Sequence, residues 1–186
     1  MMKSFGDFFA RQWMWLAAAL AIALVVHAAS VIALPRAIMW RTQALLARDA
    51  ESNMMSHAQR ASADSHLIVR PSPDLLYSTC PYDLVKAHGA LRVHAQGMPA
   101  TYWSVSAFDS ASGNFFVRND RAARNGGIDF LIIAPGTFID GTRLPVIVSP
   151  SERGIVVFRT LINDETRLAE IDTGRRNAAC EGFSGG

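Results

Sequence analysis

The 186-residue sequence holds only two cysteines, Cys80 and Cys180, and its five histidines stand singly at 27, 57, 66, 88 and 94. No HExxH or CxxC spacing occurs, so the close-set ligands of the common zinc sites are missing. Gly126-Gly127 leads into a strand-like run rather than a helix, so it is no phosphate loop. Eighteen Lys and Arg are interspersed with sixteen Asp and Glu. That mixture leaves no basic stripe for nucleic acid and no dense cluster for acidic lipid. Internal repeats and long low-complexity tracts are also absent. No metal or cofactor is implied.

One further absence is informative. Residues 13–34, WMWLAAALAIALVVHAASVIAL, carry no formal charge. As a helix this run is about 33 Å long, enough for a hydrocarbon core of ~30 Å. Trp13 and Trp15 at one end and Trp40 beyond the other suit the two interfaces of a bilayer. No face is polar, which argues against a soluble core helix. A cleaved signal peptide is the alternative: Lys3 and Arg11 form a basic start, and Val26-His27-Ala28 resembles a cleavage site. The apolar run continues to Leu34, favouring an uncleaved anchor. His27 reads as a neutral imidazole within it. Flanking positive charge is nearly balanced and does not orient the segment.

The domain plan that follows is a cytoplasmic tail at 1–12, a transmembrane helix at 13–34 and a helical stalk at 35–65. A β-rich extracytoplasmic domain follows at 66–180, then a loose tail at 181–186. Strand-like runs occupy Leu67–Val69, Leu91–Ala95, Tyr102–Asp109, Phe115–Arg118, Ile128–Ala134, Val146–Val148 and Gly154–Ile162. Ser110-Ala111-Ser112-Gly113-Asn114 supplies the turn of a hairpin. Asn163-Asp164 caps a short helix running through Ile171 and ended by Gly174. The predicted fold is mainly β: one transmembrane helix, then an antiparallel β-sandwich or barrel-like domain with a short C-terminal helix. Cys80 and Cys180 lie near the two ends of that domain, and a disulfide between them is expected if the domain is exported. Two unrelated thiols, or a Cys80 nucleophile served by His88, are the alternatives.

Several short runs fall in a recognisable order: Pro73-Asp74, Leu76-Tyr77-Ser78, Tyr82-Asp83-Leu84, Tyr102-Trp103, Phe108-Asp109, Asn114-Phe115-Phe116, Phe130 to Gly136, Ser149-Pro150 and Phe158-Arg159-Thr160. Together they resemble the bacterial domain-of-unknown-function family 1254, over about residues 70 to 162. The anchored layout is similar to short inner-membrane members of that family. The resemblance implies a bacterial inner-membrane location with a periplasmic C-terminal domain. It also implies a membrane-anchored partner of the 1214 family, and it supplies no catalytic residues.

Within the family-like segments, Asp74, Tyr77, Asp109 and Arg159 are the candidates for an envelope enzyme. Tyr77, Tyr102, Trp103, Phe108 and Arg118 are the candidates for a groove taking a lipid or glycan, with core packing of the aromatics as the plainer alternative. His88 and His94 could meet Asp83, although solvated loop positions fit them better. With no catalytic constellation in view, the sequence reads as an envelope accessory or interaction module in contact with the lipid bilayer, with no nucleic-acid role.

Overall fold

The computed structural model describes residues 5–49, 51–62, 71–123 and 127–183. The strand-like run 67–69 and the last three residues of the expected tail lie outside them. Helix α1 spans Phe5–Asp49, through the residues read as tail, span and the first half of the stalk. Its middle is rich in Ala and Leu, strong helix formers, and Pro35 sits inside it without ending it. Arg36 Nη1 donates to the Ile32 carbonyl at 2.7 Å. The portion Gln12–Leu46 is long and apolar enough to cross a membrane. Its Leu16, Leu20, Ile22 and Leu24 side chains are all exposed. The chain divides into two units, residues 1–38 and 39–186.

The second unit is built from two sheets. Strands β1 (Ser56–His57), β2 (Leu75–Asp83), β3 (Ala90–Ala95), β4 (Trp103–Asp109) and β5 (Asn114–Asn119) are followed by β6 (Ile128–Ile133), β7 (Val146–Val148) and β8 (Arg153–Leu161). A short helix α2 (Leu168–Arg175) and strand β9 (Ala178–Gly182) complete it. The order is β1-β2-β8-β4-β5 in one sheet and β7-β6-β3-β9 in the other. Every pairing is antiparallel except β6 with β7, which is parallel. Alternation assigns the faces. Cys80, Tyr82, Val105, Ala107, Phe116, Val156 and Phe158 of the first sheet meet Leu91, Val93, Ala95, Phe130, Ile132 and Cys180 of the second in one core.

Residues 51–62, read from the sequence as the end of a stalk, already belong to this unit. Asn53 exchanges two hydrogen bonds with the Asp83 backbone, and β1 pairs with β2. Glu181 and Gly182, read as the start of a loose tail, pair with Arg92 and Leu91 at the end of β9. The last turns of α1 also belong here. Trp40, Gln43 and Ala44 line a cavity of about 240 Å³ together with Pro81, Asp83 and Arg153.

Candidate functional site

The two flanks of the sandwich differ. On one flank Cys80 of β2 and Cys180 of β9 are joined by a disulfide, so the two sheets are covalently tied there. The Cys80 thiol is therefore unavailable as a nucleophile. Against β2, Arg175 of α2 is 1% exposed yet fully engaged. Its Nε donates to Asp172 Oδ1 (2.6 Å), Nη1 to the Tyr77 carbonyl (2.8 Å) and Ser78 Oγ (3.1 Å), and Nη2 to the Ala58 carbonyl (2.6 Å). One guanidinium thus binds α2 to β2 and to the chain just after β1. A buried charge is tolerable only when paired and bonded in this way.

Ser78 Oγ accepts from Arg175 and shares a hydrogen bond of 2.8 Å with His57 Nδ1. Burial, and next the neighbouring Arg175 charge, holds the His57 pKa below the usual histidine value. Burial pushes Asp172 up, but its hydrogen bonds to Arg176 and Arg175 outweigh this and leave it below the usual aspartate range. This Ser–His pair is not a nucleophile and base: Ser78 is 1% exposed, and the guanidinium occupies its open side. The network is structural. His57, Ser78 and Arg175 are too far apart in the chain for any spacing motif to have revealed it.

The opposite flank is open. Here β5 and β6 face one another, and a cleft of about 550 Å³ enters between the sheets. Its floor is the tilted pair Phe116 and Phe130, with ring centroids 4.5 Å apart. Strand alternation puts Phe116 and Arg118 on the same, inward side of β5, and the Arg118 guanidinium lies 5.3 Å from the Phe116 ring centre. Ile128 and Ile147 form apolar walls, and Arg143 stands on the rim. β7 pairs only with Leu131–Ile133, so it does not extend along Ile128–Phe130. Asp129, the single acidic lining residue among those described, is held by Arg92 through two bonds of 3.0 and 2.7 Å. Among the described residues, Arg118 makes one hydrogen bond, to the Val117 carbonyl, and Arg143 makes no side-chain hydrogen bond or ion pair.

The residues singled out in the sequence are dispersed. Tyr77 and Arg159 are register partners on the outer face of the first sheet. Asp74 is exposed just before β2, and the Tyr77 hydroxyl accepts from the Ser72 amide. Asp109 accepts from the Ala111 and Gly113 amides and so closes the β4–β5 hairpin. It is level with Gly154, five residues along β8 from Arg159 and therefore about 17 Å away. These four groups do not share a site. Trp103 is 3% exposed and packs against Phe158 in the core. Tyr102 is exposed before β4, and Phe108 is half-buried near the hairpin. Of the five groove candidates, Arg118 alone lines the cleft. Phe116, Phe130 and Arg143 complete it, and strand alternation around the hairpin was the signal that could have found Phe116. His94 lies 3.5 Å from Glu181, and Asp83 is held by Arg153. Among the described residues no three His, Cys, Asp or Glu side chains are placed to hold a metal.

Tyr82, beneath β7's far end, illustrates how the core is finished. Ser149 Oγ donates to the Ser151 carbonyl and lies 2.9 Å from the Tyr82 hydroxyl. Burial pushes the Tyr82 phenol up to about 12.

No curated protein matches the chain. Among solved structures, the VPA0106 protein from Vibrio parahaemolyticus is similar in fold, with a TM-score of 0.63 at 12% identity. The match covers 83% of this chain but 36% of that one, so this chain spans little more than a third of its length. An uncharacterized protein from Burkholderia cenocepacia matches with a TM-score of 0.46 and 17% identity, over 61% of this chain and 32% of the other. The family model described as "Protein of unknown function (DUF1254)" matches residues 52–182, from just ahead of β1 to the end of β9. The chain belongs to the DUF1254 family.

Proposed function

We propose that this protein is a single-pass inner-membrane protein that displays its β-sandwich in the periplasm as a docking module for a second protein. Helix α1 is the anchor in this reading, and the disulfide accords with an oxidising compartment. The observation that carries the docking role is the apolar edge formed at β7. Val146 and Val148 point outward from a three-residue strand whose other edge is unpaired among the described residues, and they are 39% and 59% exposed. Phe138, in the loop leading to β7, is 91% exposed. Large apolar side chains on an open sheet edge mark a surface that another chain covers. A membrane-anchored protein of the 1214 family is the partner we propose.

Photo-crosslinking tests this. The full chain, carrying a photoreactive residue in place of Val148, is co-expressed with a 1214-family protein. A specific crosslink is expected, and it should disappear when Phe138→Asp and Val146→Asp are added. Absence of the crosslink, or its persistence in the charged variant, rejects the docking edge. Digestion of spheroplasts by an added protease should remove the sandwich; protection would place it in the cytoplasm instead.

A further inference from the structure

We infer that the cleft between β5 and β6 is a binding site for a small anion with an apolar body, a carboxylate or phosphate joined to an aromatic or acyl group. The site uses side chains distinct from the docking edge: Val146 and Val148 point outward, whereas Ile147 lines the cleft. A cavity of about 550 Å³ lies within the range of ligand pockets and exceeds what imperfect packing leaves in a core.

The chemistry of the lining defines the ligand. Phe116 and Phe130, their rings tilted to each other, give an apolar floor flanked by Ile128 and Ile147. Such a floor takes a ring or chain that can stack or slide along it. Two guanidiniums stand above the floor, and neither has an acidic partner among the described residues. Among the described residues the only lining carboxylate, Asp129, is neutralised by Arg92 in a bidentate pair that holds its oxygens away from a ligand. The site therefore has an uncompensated positive rim over an apolar base. Guanidinium forks match carboxylate and phosphate oxygens, and Arg118 is steadied in place by its position over the Phe116 ring. A neutral ligand would leave both charges unanswered, and a cation would be repelled.

The test uses the full chain in lipid nanodiscs, with empty nanodiscs as the reference, and two water-soluble probes, 2-naphthoate and 2-naphthyl phosphate. Isothermal titration calorimetry measures binding. At least one anion is expected to bind saturably, and the neutral 2-naphthamide about tenfold more weakly or worse. Preference for the carboxylate or for the phosphate identifies the head group and supports the site either way. R118Q and R143Q should each weaken the preferred anion about five- to tenfold, with thermal melting unchanged because both side chains are exposed. Raising the salt concentration should weaken the anions and leave the amide unaffected. Equal affinity for amide and anion, no saturable binding of either anion at millimolar concentration, or full affinity in the double R118Q/R143Q variant would overturn the assignment. The charged β7 variant should bind the probes normally, which separates failure of this site from failure of the docking edge.

Discussion

Gly154 shows how a single missing side chain sets the packing of the first sheet. A Cβ at this position would lie 2.1 Å from the Phe108 carbonyl and 2.2 Å from the Tyr82 hydroxyl. The glycine is required for the space it leaves, since no positive φ is involved there. Gly154→Ala should therefore destabilise the domain by about 3 kcal/mol or more, read as a lower denaturant midpoint. Tyr82→Phe alone removes the bonds to Ser149 and to the Phe108 carbonyl and should cost about 1–2 kcal/mol. The double variant tests the cause. Phenylalanine takes away the hydroxyl but leaves the backbone carbonyl of Phe108 in the way, so it should fail to rescue Gly154→Ala. Full rescue would mean that the phenol alone excludes the methyl group. None of this could be read from the sequence, where Gly154 is an ordinary residue between Arg153 and a run of β-branched residues.

Strands whose own residues favour them were readable, and strands imposed by neighbours were not. The β4–β5 hairpin announces itself through alternating apolar positions around a Ser-Gly-Asn turn, and β6 and β8 are rich in Ile and Val. β2 was hidden by Pro81, which normally argues against an interior strand. The structure resolves this: the Pro81 carbonyl accepts from Asn53 on the β1 side, where β1 pairs only with Ser78 and Thr79. A strand residue presents its amide and carbonyl to the same side, so the missing N–H breaks no bond to β8. β9, with the sequence AACEG, has little strand preference of its own. It is held by pairing to β3 and by the bond from Cys180 to Cys80. The disulfide closes a loop with a sequence separation of 100. In the chain-entropy model such a closure stabilises by about 4–5 kcal/mol. Replacing both cysteines by alanine should lower unfolding stability by up to that amount, and hydrogen exchange should show β9 opening first. If β9 amides stay as protected as those of β3, pairing alone holds the strand and the covalent tie is dispensable.

The anchor and the disulfide test each other. Cys80 and Cys180 are bonded at the buried flank, a state that cytosolic reductants oppose and an exporting compartment allows. In the proposed topology, helix α1 is what carries the sandwich to that compartment, so a change in the helix should be felt 60 residues or more further along the chain. An arginine at the centre of a spanning helix costs about 2.5–3.5 kcal/mol for insertion, and loss of the leucine it replaces adds to this. Leu20→Arg with Leu24→Arg should shift the protein from the membrane pellet to the soluble fraction. The same variant should then keep both cysteines reduced. Maleimide labelling of denatured protein reads this directly, with no label on the wild-type pair and two on the variant. A soluble wild-type protein would remove the anchor from the account. A membrane-bound protein whose wild-type cysteines both take label would leave the anchor standing but turn the sandwich toward the cytoplasm, where the link from β2 to β9 would not form and the flank opposite the cleft would rest on hydrogen bonds and packing alone.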